Sequence, residues 1–261
     1  MSLSNLAERP KFTTAIQTAG YQELIKRALN DPARERRFIA NIVSAVSTSA
    51  DLQKCDPASI LSGALLGEAL NLSPSPQLGH FYLVPFKDKA TFILGYKAYI
   101  QLAMRSGKYK KINVLEVKKG ELVKYDPFNE EIEISIMQDE LARETAETTG
   151  YYAMFEYQNG FKKILYWSKE KMERHALKYS AGYKAKKGYT FWEKDFDQMG
   201  LKTMIRQLIS KWGIMSIEMM DAFQADENPI NADGTPEFIQ GDVISDMVDK
   251  DPNTINMDDI Q

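Results

Sequence analysis

Lysine, arginine and aromatic residues recur together in two stretches of this 261-residue chain, at spacings that suit contact with a polyanion. Between Lys87 and Lys124, ten basic residues stand against three acids, with Phe92, Tyr96, Tyr99 and Tyr109 among them. Between Gly160 and Lys211, thirteen basic residues stand against five acids, with Tyr179, Tyr183, Tyr189, Phe191 and Trp192 interleaved. This is the composition of a groove that follows phosphates and stacks bases. Lysine and arginine neutralise a backbone without reading its sequence, and each unpaired base offers a π face worth about 1–3 kcal/mol on an aromatic ring. The same rings are also ordinary core residues, and lysine runs are ordinary solvated faces, so composition alone leaves both readings open.

The residues singled out for phosphate contact are Lys97, Arg105, Lys108, Lys110, Lys111, Lys184, Lys186, Lys187, Lys202, Arg206 and Lys211. Tyr96, Tyr189 and Trp192 are the candidates for stacking or groove packing. Lys202 and Arg206 are four apart and share one face of a helix whose Met204, Ile205, Leu208 and Ile209 supply packing positions. Lys97 and Arg105, eight apart, again share roughly one face. Lys184, Lys186 and Lys187 lie between Gly182 and Gly188, which suits a mobile clamp.

Catalytic constellations are scarce. The histidines are His80 and His175 and the cysteine is Cys55, too few for a zinc motif, and there is no Gly-rich phosphate loop of the P-loop or dinucleotide kind. No catalytic residue, metal or cofactor is therefore assigned, and any work on nucleic acid would run on binding energy. Glu193, Asp195 and Asp197 could ligate the metal of a nuclease, the alternative function. Glu193 is better explained as the partner of Thr190 in a helix-capping box, and acids in a first turn meet the helix dipole favourably. His80, at a strand entrance, reads as structural. One cysteine allows no internal disulfide, and no apolar run approaches the roughly 20 residues of a membrane span, so a cytoplasmic protein is expected.

The elements that would position these residues are legible from periodicity and turn chemistry. Helices are expected over Tyr21 to Leu29 and Ala33 to Ala50, and from Asp56-Pro57, an N-cap followed by a favoured first-turn proline, to Leu70. Strands Phe81 to Phe86 and Ala90 to Leu94 flank the polar tip Lys87-Asp88-Lys89, a hairpin. A helix over Gly95 to Ser106 stops at Gly107. Strands follow at Ile112 to Val117, Glu131 to Ile136, Tyr151 to Tyr157 and Phe161 to Trp167, the last two joined through Asn159-Gly160. Ser168 caps a helix to Tyr179, and the Thr190/Glu193 box opens another running to Trp212. The fold class is α+β.

Charge is unevenly distributed. Residues 217–261 hold twelve acids against Lys250 alone, a net −11, which leaves +8 on the rest of a chain whose total is −3. A basic body implies a polyanionic partner, and the acidic end either competes for that surface, recruits a protein or merely keeps the chain in solution. Three parts are expected: a helical region over 1–55, a polyanion-binding core over 56–224, and a mostly disordered tail over 225–261.

Leu78-Gly79-His80, Tyr82, Val84-Pro85-Phe86, Gly95-Tyr96-Lys97 and Leu102 to Gly107, followed by Trp192-Glu193, Lys202-Thr203, Arg206 and Ser216-Ile217-Glu218, resemble the RecT single-strand annealing proteins of phages and prophages. The matched motifs cover about residues 78–124 and 190–218, and Ala98 stands where some relatives carry glycine. The resemblance implies a recombinase that needs no ATP, coats single-stranded DNA, anneals it to its complement, and assembles into rings or helical filaments. It implies a DNA-binding annealing core over 56–224 similar to Redβ and Rad52, with a β-β-β-α unit and a long C-terminal helix, and protomer contacts by the helical N-terminal region over 1–55. It also implies partnership with a phage exonuclease and the host single-stranded DNA-binding protein. A passive strand-coating protein is the third reading.

Overall fold

Two Asp-Pro pairs start the first long helices. Asp31 accepts the N–H groups of Ala33 (2.7 Å) and Arg34 (3.0 Å) ahead of α3 (Pro32–Ser47), and Asp56 accepts that of Ala58 (3.3 Å) ahead of α4 (Pro57–Ala69). The computed structural model describes residues 11–75, 78–188 and 190–237, and these fall into two compact units, 11–105 with 216–237 and 106–215. The division lies at Arg105/Ser106 and Met215/Ser216, not at the expected boundaries after residues 55 and 224.

The first unit holds α1 (Phe12–Ala15), α2 (Ala19–Leu29), α3, α4, β1 (Phe81–Phe86), β2 (Lys89–Leu94), α5 (Tyr96–Arg105), α11 (Ile217–Ala225) and β8 (Asn228–Pro229). Its helices close on a core that includes Phe12, Ile25, Phe38, Ile42 and Ile60. Helix α4 is buried on more than one stripe, through Ile60, Leu61, Gly63, Ala64 and Gly67, because α1 packs on it from one side and β1 and β2 from another. The β1–β2 register runs from Phe81↔Leu94 to Phe86↔Lys89, with Lys87 in the left-handed region at its tip. β8 pairs with the other edge of β2 through Thr91↔Pro229 and Phe92↔Asn228. Asn228 and Pro229, at the start of the segment expected as a tail, thus join a sheet, and Glu237 forms an ion pair with Lys89. The rest of the expected tail lies outside the described residues.

The second unit holds β3 (Tyr109–Lys118), β4 (Leu122–Asp126), β5 (Glu131–Ile134), α6 (Glu140–Thr145), β6 (Thr148–Tyr157), β7 (Lys162–Ser168), α7 (Lys169–Tyr179), α8 (Ala181–Lys184), α9 (Phe191–Lys194) and α10 (Phe196–Trp212). The antiparallel sheet has the order β3-β6-β7, and β4 with β5 makes a separate hairpin, of which only the second strand is expected from the sequence. Gly160 turns β6 into β7 at a φ of +87°. α10 packs on the sheet face carrying Tyr151, Ala153, Phe155 and Tyr157, all buried. The single helix expected from Thr190 to Trp212 is two helices. The capping box is present, but Asp195 leaves helical geometry at φ −152° and caps α10 by accepting the N–H of Gln198. The chain is α+β. No described helix is long and apolar enough to cross a membrane.

Candidate nucleic-acid interface

In the first unit the β1–β2 register folds two separated sequence motifs onto each other. Phe81↔Leu94 places Gly95 beside Gly79, and the N–H of Gly95 donates to the carbonyl of His80 at 2.8 Å. A Cβ on Gly95 would stand 2.1 Å from the Gly79 carbonyl oxygen, so only glycine allows the approach. Gly79 has φ +62°, and the position its Cβ would take is 3.2 Å from the Tyr82 hydroxyl and 3.5 Å from Lys97 Cδ. Gly79, His80, Tyr82 and Lys97 therefore occupy one patch.

Arg105, at the end of α5, donates from Nη1 to the carbonyl of Leu70 (2.7 Å) and from Nη2 to that of Asn71 (3.1 Å). It closes the C-terminus of α4, where unpaired carbonyls and the helix dipole favour a cation. Two of its five N–H donors are used in this way, and the residue is exposed. Lys97 is exposed, and Tyr96 is half-buried. His80 Nδ1 accepts the Ser73 N–H at 3.2 Å, and its pKa is lowered, first by burial, then by Arg105 and Lys97. Three basic groups thus share a surface, and no carboxylate is among the groups that shift His80. His80 and Tyr82 are not expected as interface residues from their own types; the signal for them is adjacency to Gly79.

In the second unit the basic loop lies over its own aromatic packing. Trp167, His175, Tyr179, Tyr183, Trp192 and Phe196 form a chain of ring contacts between 4.6 and 6.4 Å. Lys171 and Lys178 lay their ammonium groups over Trp167 (4.5 Å) and Tyr179 (4.6 Å). Lys184, Lys186 and Lys187 are exposed. The segment carrying them, expected as a mobile clamp, includes a helical turn: Lys187 N–H donates to the Gly182 carbonyl, and Gly188 N–H to Glu193 at 2.8 Å.

A second cationic row crosses the sheet. A bulge between Tyr109 and Lys111 brings Lys110 and Lys111 to Glu156, which pairs with Lys162 across the sheet. Lys110 bonds Glu156 at 2.5 Å and holds its carboxyl below the usual range, with Lys111 and Lys162 adding to the effect. Lys108, Lys111, Lys162 and Lys211 are exposed. Lys162 is absent from the residues that spacing singles out, although the Asn159-Gly160 turn fixes its register opposite Glu156.

The sequence model of the RecT family matches residues 36–239, which include both motif blocks and most of the two units. The chain belongs to the RecT family. It is 42% identical over 212 residues to the uncharacterized protein YqaK of Bacillus subtilis, spanning 81% of this chain and 71% of YqaK. It is 27% identical over 229 residues to Protein RecT of Escherichia coli, spanning 84% of this chain and 81% of that protein. RecT family membership marks the chain as a single-strand annealing protein of recombination.

Two of the residues expected to touch DNA in this RecT family chain are buried. Lys202 is only 3% exposed, on the face of α10 turned into the unit, so a phosphate in solvent does not reach it. Its i, i+4 partner Arg206 is half-buried, and Lys211, near the end of the helix, is exposed. Spacing misleads here because α10 is buried through Leu201 to Ile205 and again at Gln207 to Ile209, leaving no open stripe at Lys202. Trp192 is 2% exposed and packs edge-on against Phe196 at 5.1 Å, so it is core and not a stacking surface. Tyr189 lies outside the described residues. The carboxylates weighed for a nuclease all serve local structure: Glu193 closes the capping box, Asp195 caps α10, and Asp197 accepts the hydroxyls of Tyr151 (2.5 Å) and Thr148 (2.8 Å).

Proposed function

We propose that this chain binds single-stranded DNA by its phosphates and anneals complementary strands without nucleotide hydrolysis, acting as an oligomeric ring or helical filament. The observation that carries the reading is the family match over 36–239 together with the exposed lysines 108, 111, 162, 184, 186, 187 and 211 on one unit of that span. Lys97 and Arg105 are the phosphate contacts proposed on the unit 11–105 with 216–237. Bound by phosphates, the first strand keeps its base edges available, and a second strand tests them by pairing. Three antiparallel strands, β3, β6 and β7, followed by α7 support a β-β-β-α core of the Redβ and Rad52 kind, with the β4–β5 hairpin and α6 inserted after the first strand. A phage exonuclease that exposes the strand and the host single-stranded DNA-binding protein are the expected partners, in the cytoplasm.

The test mixes two complementary fluorescent oligonucleotides with the protein in the absence of ATP and follows pairing rate and strand length together. Faster pairing of intact strands is expected. Slower pairing would establish a passive coat, and shortened strands in magnesium would establish a nuclease.

A further inference from the structure

The geometry points to Trp212 and Phe161 as a base-stacking platform for single-stranded DNA within the unit 106–215; this deepens the annealing reading and rests on it. Both rings stand in solvent, Trp212 50% and Phe161 48% exposed, whereas Trp167 and Trp192 are 7% and 2% exposed. One buried residue meets the Phe161 ring and the main chain of Trp212. Tyr157 stacks under Phe161 (centroids 5.8 Å apart, planes 21°), donates its hydroxyl proton to the Trp212 carbonyl at 2.8 Å, and accepts the Ile214 N–H at 2.7 Å. Tyr109 donates to the Ile214 carbonyl at 3.1 Å, so the chain after α10 is pinned at two neighbouring points.

The Lys163 ammonium sits 3.6 Å from the centroid of the Trp212 ring and pairs with Glu130, which fixes the indole through a cation–π contact and leaves its remaining surface to solvent. Charge decides the occupant. Glu130 and Glu156 are taken by Lys163 and Lys110, and Glu131 by Lys124, while Glu131 and Glu133 line a hollow with Lys162. Lys108, whose carbonyl accepts the Gln158 N–H at the β6–β7 turn, and Lys211, the sequence neighbour of Trp212, are exposed and form no ion pair among the described residues. Exposed aromatic rings on a unit that also presents unpaired cations suit a strand of unpaired bases on a phosphate backbone better than an apolar protein surface.

The full-length protein is titrated with oligothymidylate and with an abasic oligonucleotide of equal length, reading tryptophan fluorescence and affinity, and the titrations are repeated for Trp212→Ala, Trp212→Phe and Phe161→Ala. Expected is quenching of the exposed tryptophan by oligothymidylate but not by the abasic strand. Trp212→Ala should abolish that quenching and bind oligothymidylate roughly tenfold more weakly, with abasic affinity unchanged, and Trp212→Phe should keep the preference for bases. Equal binding of oligothymidylate by parent, Trp212→Ala and Phe161→Ala would overturn the platform while leaving the annealing reading intact. A change of assembly state in Trp212→Ala with the base preference retained would overturn it in favour of a contact between copies. Failure of the parent to bind either oligonucleotide would overturn the nucleic-acid reading itself, and the platform with it.

Discussion

Asp226, following α11, accepts the backbone N–H of Leu94 at 2.8 Å from a position where it is 2% exposed. The same carboxylate accepts the hydroxyl of Tyr99, and the next residue, Glu227, donates its N–H to the Phe92 carbonyl at 2.7 Å. The chain after α11 therefore completes the unit that carries the Gly79–Lys97 patch. Asp226→Ala removes a buried acceptor of one N–H and one hydroxyl, and is expected to cost about 2–3 kcal/mol. The check is the urea midpoint, and a chain ending at Ala225, which lacks β8 as well, should be destabilised at least as much. A midpoint equal to that of the parent would show that the carboxylate contributes nothing.

Gly95→Ala should be far more damaging than its size suggests. Its methyl group meets a backbone oxygen, which cannot rotate away, so a penalty of roughly 3 kcal/mol is expected, together with weakened single-strand binding as His80 and Lys97 are displaced. Gly107→Ala is the control: φ is +68° but nothing lies within 4 Å, so only the left-handed backbone penalty of about 1–2 kcal/mol applies. Equal denaturation midpoints for the two variants would show that the close approach of Gly95 to Gly79 carries no cost of its own.

Two sets of lysines should separate affinity from stability. Replacing Lys184, Lys186 and Lys187 together with alanine should flatten the plot of log affinity against log salt by about 0.7 for each phosphate that the variant no longer neutralises, with stability changed by no more than about 0.5 kcal/mol. Lys202→Ala should do the reverse, leaving the salt slope alone and lowering stability by about 1–3 kcal/mol by stripping a buried group from its partners. A reduced salt slope in Lys202→Ala would return that residue to the DNA-contact set.

His80 sets a pH dependence with a definite sign. Its folded pKa lies below the ordinary 6.5 through burial and then through Arg105 and Lys97. Below about pH 6.5 the unfolded chain therefore binds more protons than the folded one, and stability falls as pH falls; above it His80 gives no slope. His80→Gln should flatten the low-pH side of the thermal-midpoint curve. Phosphate seated by Lys97 and Arg105 would relieve their repulsion of the imidazolium, so parent affinity for single strands should rise as pH falls, more steeply than in His80→Gln. Matching pH profiles in the two proteins would remove His80 from the interface.

Local signals survive into the fold wherever a short stretch of chain settles its own hydrogen bonds. Asp31-Pro32, Asp56-Pro57, Ser168 and the Thr190/Glu193 box all start helices, and Phe81–Phe86 and its partner strand form the expected hairpin. The break at Asp195 is hidden because one side chain caps a helix at a point where periodicity continues unbroken on both sides. β4 is hidden because its strand pattern is largely exposed, so it lacks the buried alternation that marks a strand.

Residue types and motif order were enough for the chemistry: cations and rings with few catalytic groups, and two motif blocks sufficient to place the chain in its family. Which cation and which ring face solvent was settled by packing alone. Lys202 and Trp192 stand out by spacing and composition, yet both are buried, while Trp212 and Phe161, unmarked by any motif, are exposed, one at the end of α10 and one in the β6–β7 connection. Burial depends on what packs across from a residue, and those neighbours come from elements tens of residues away. The same holds for Gly79 and Gly95, whose contact exists only once β1 and β2 pair in register.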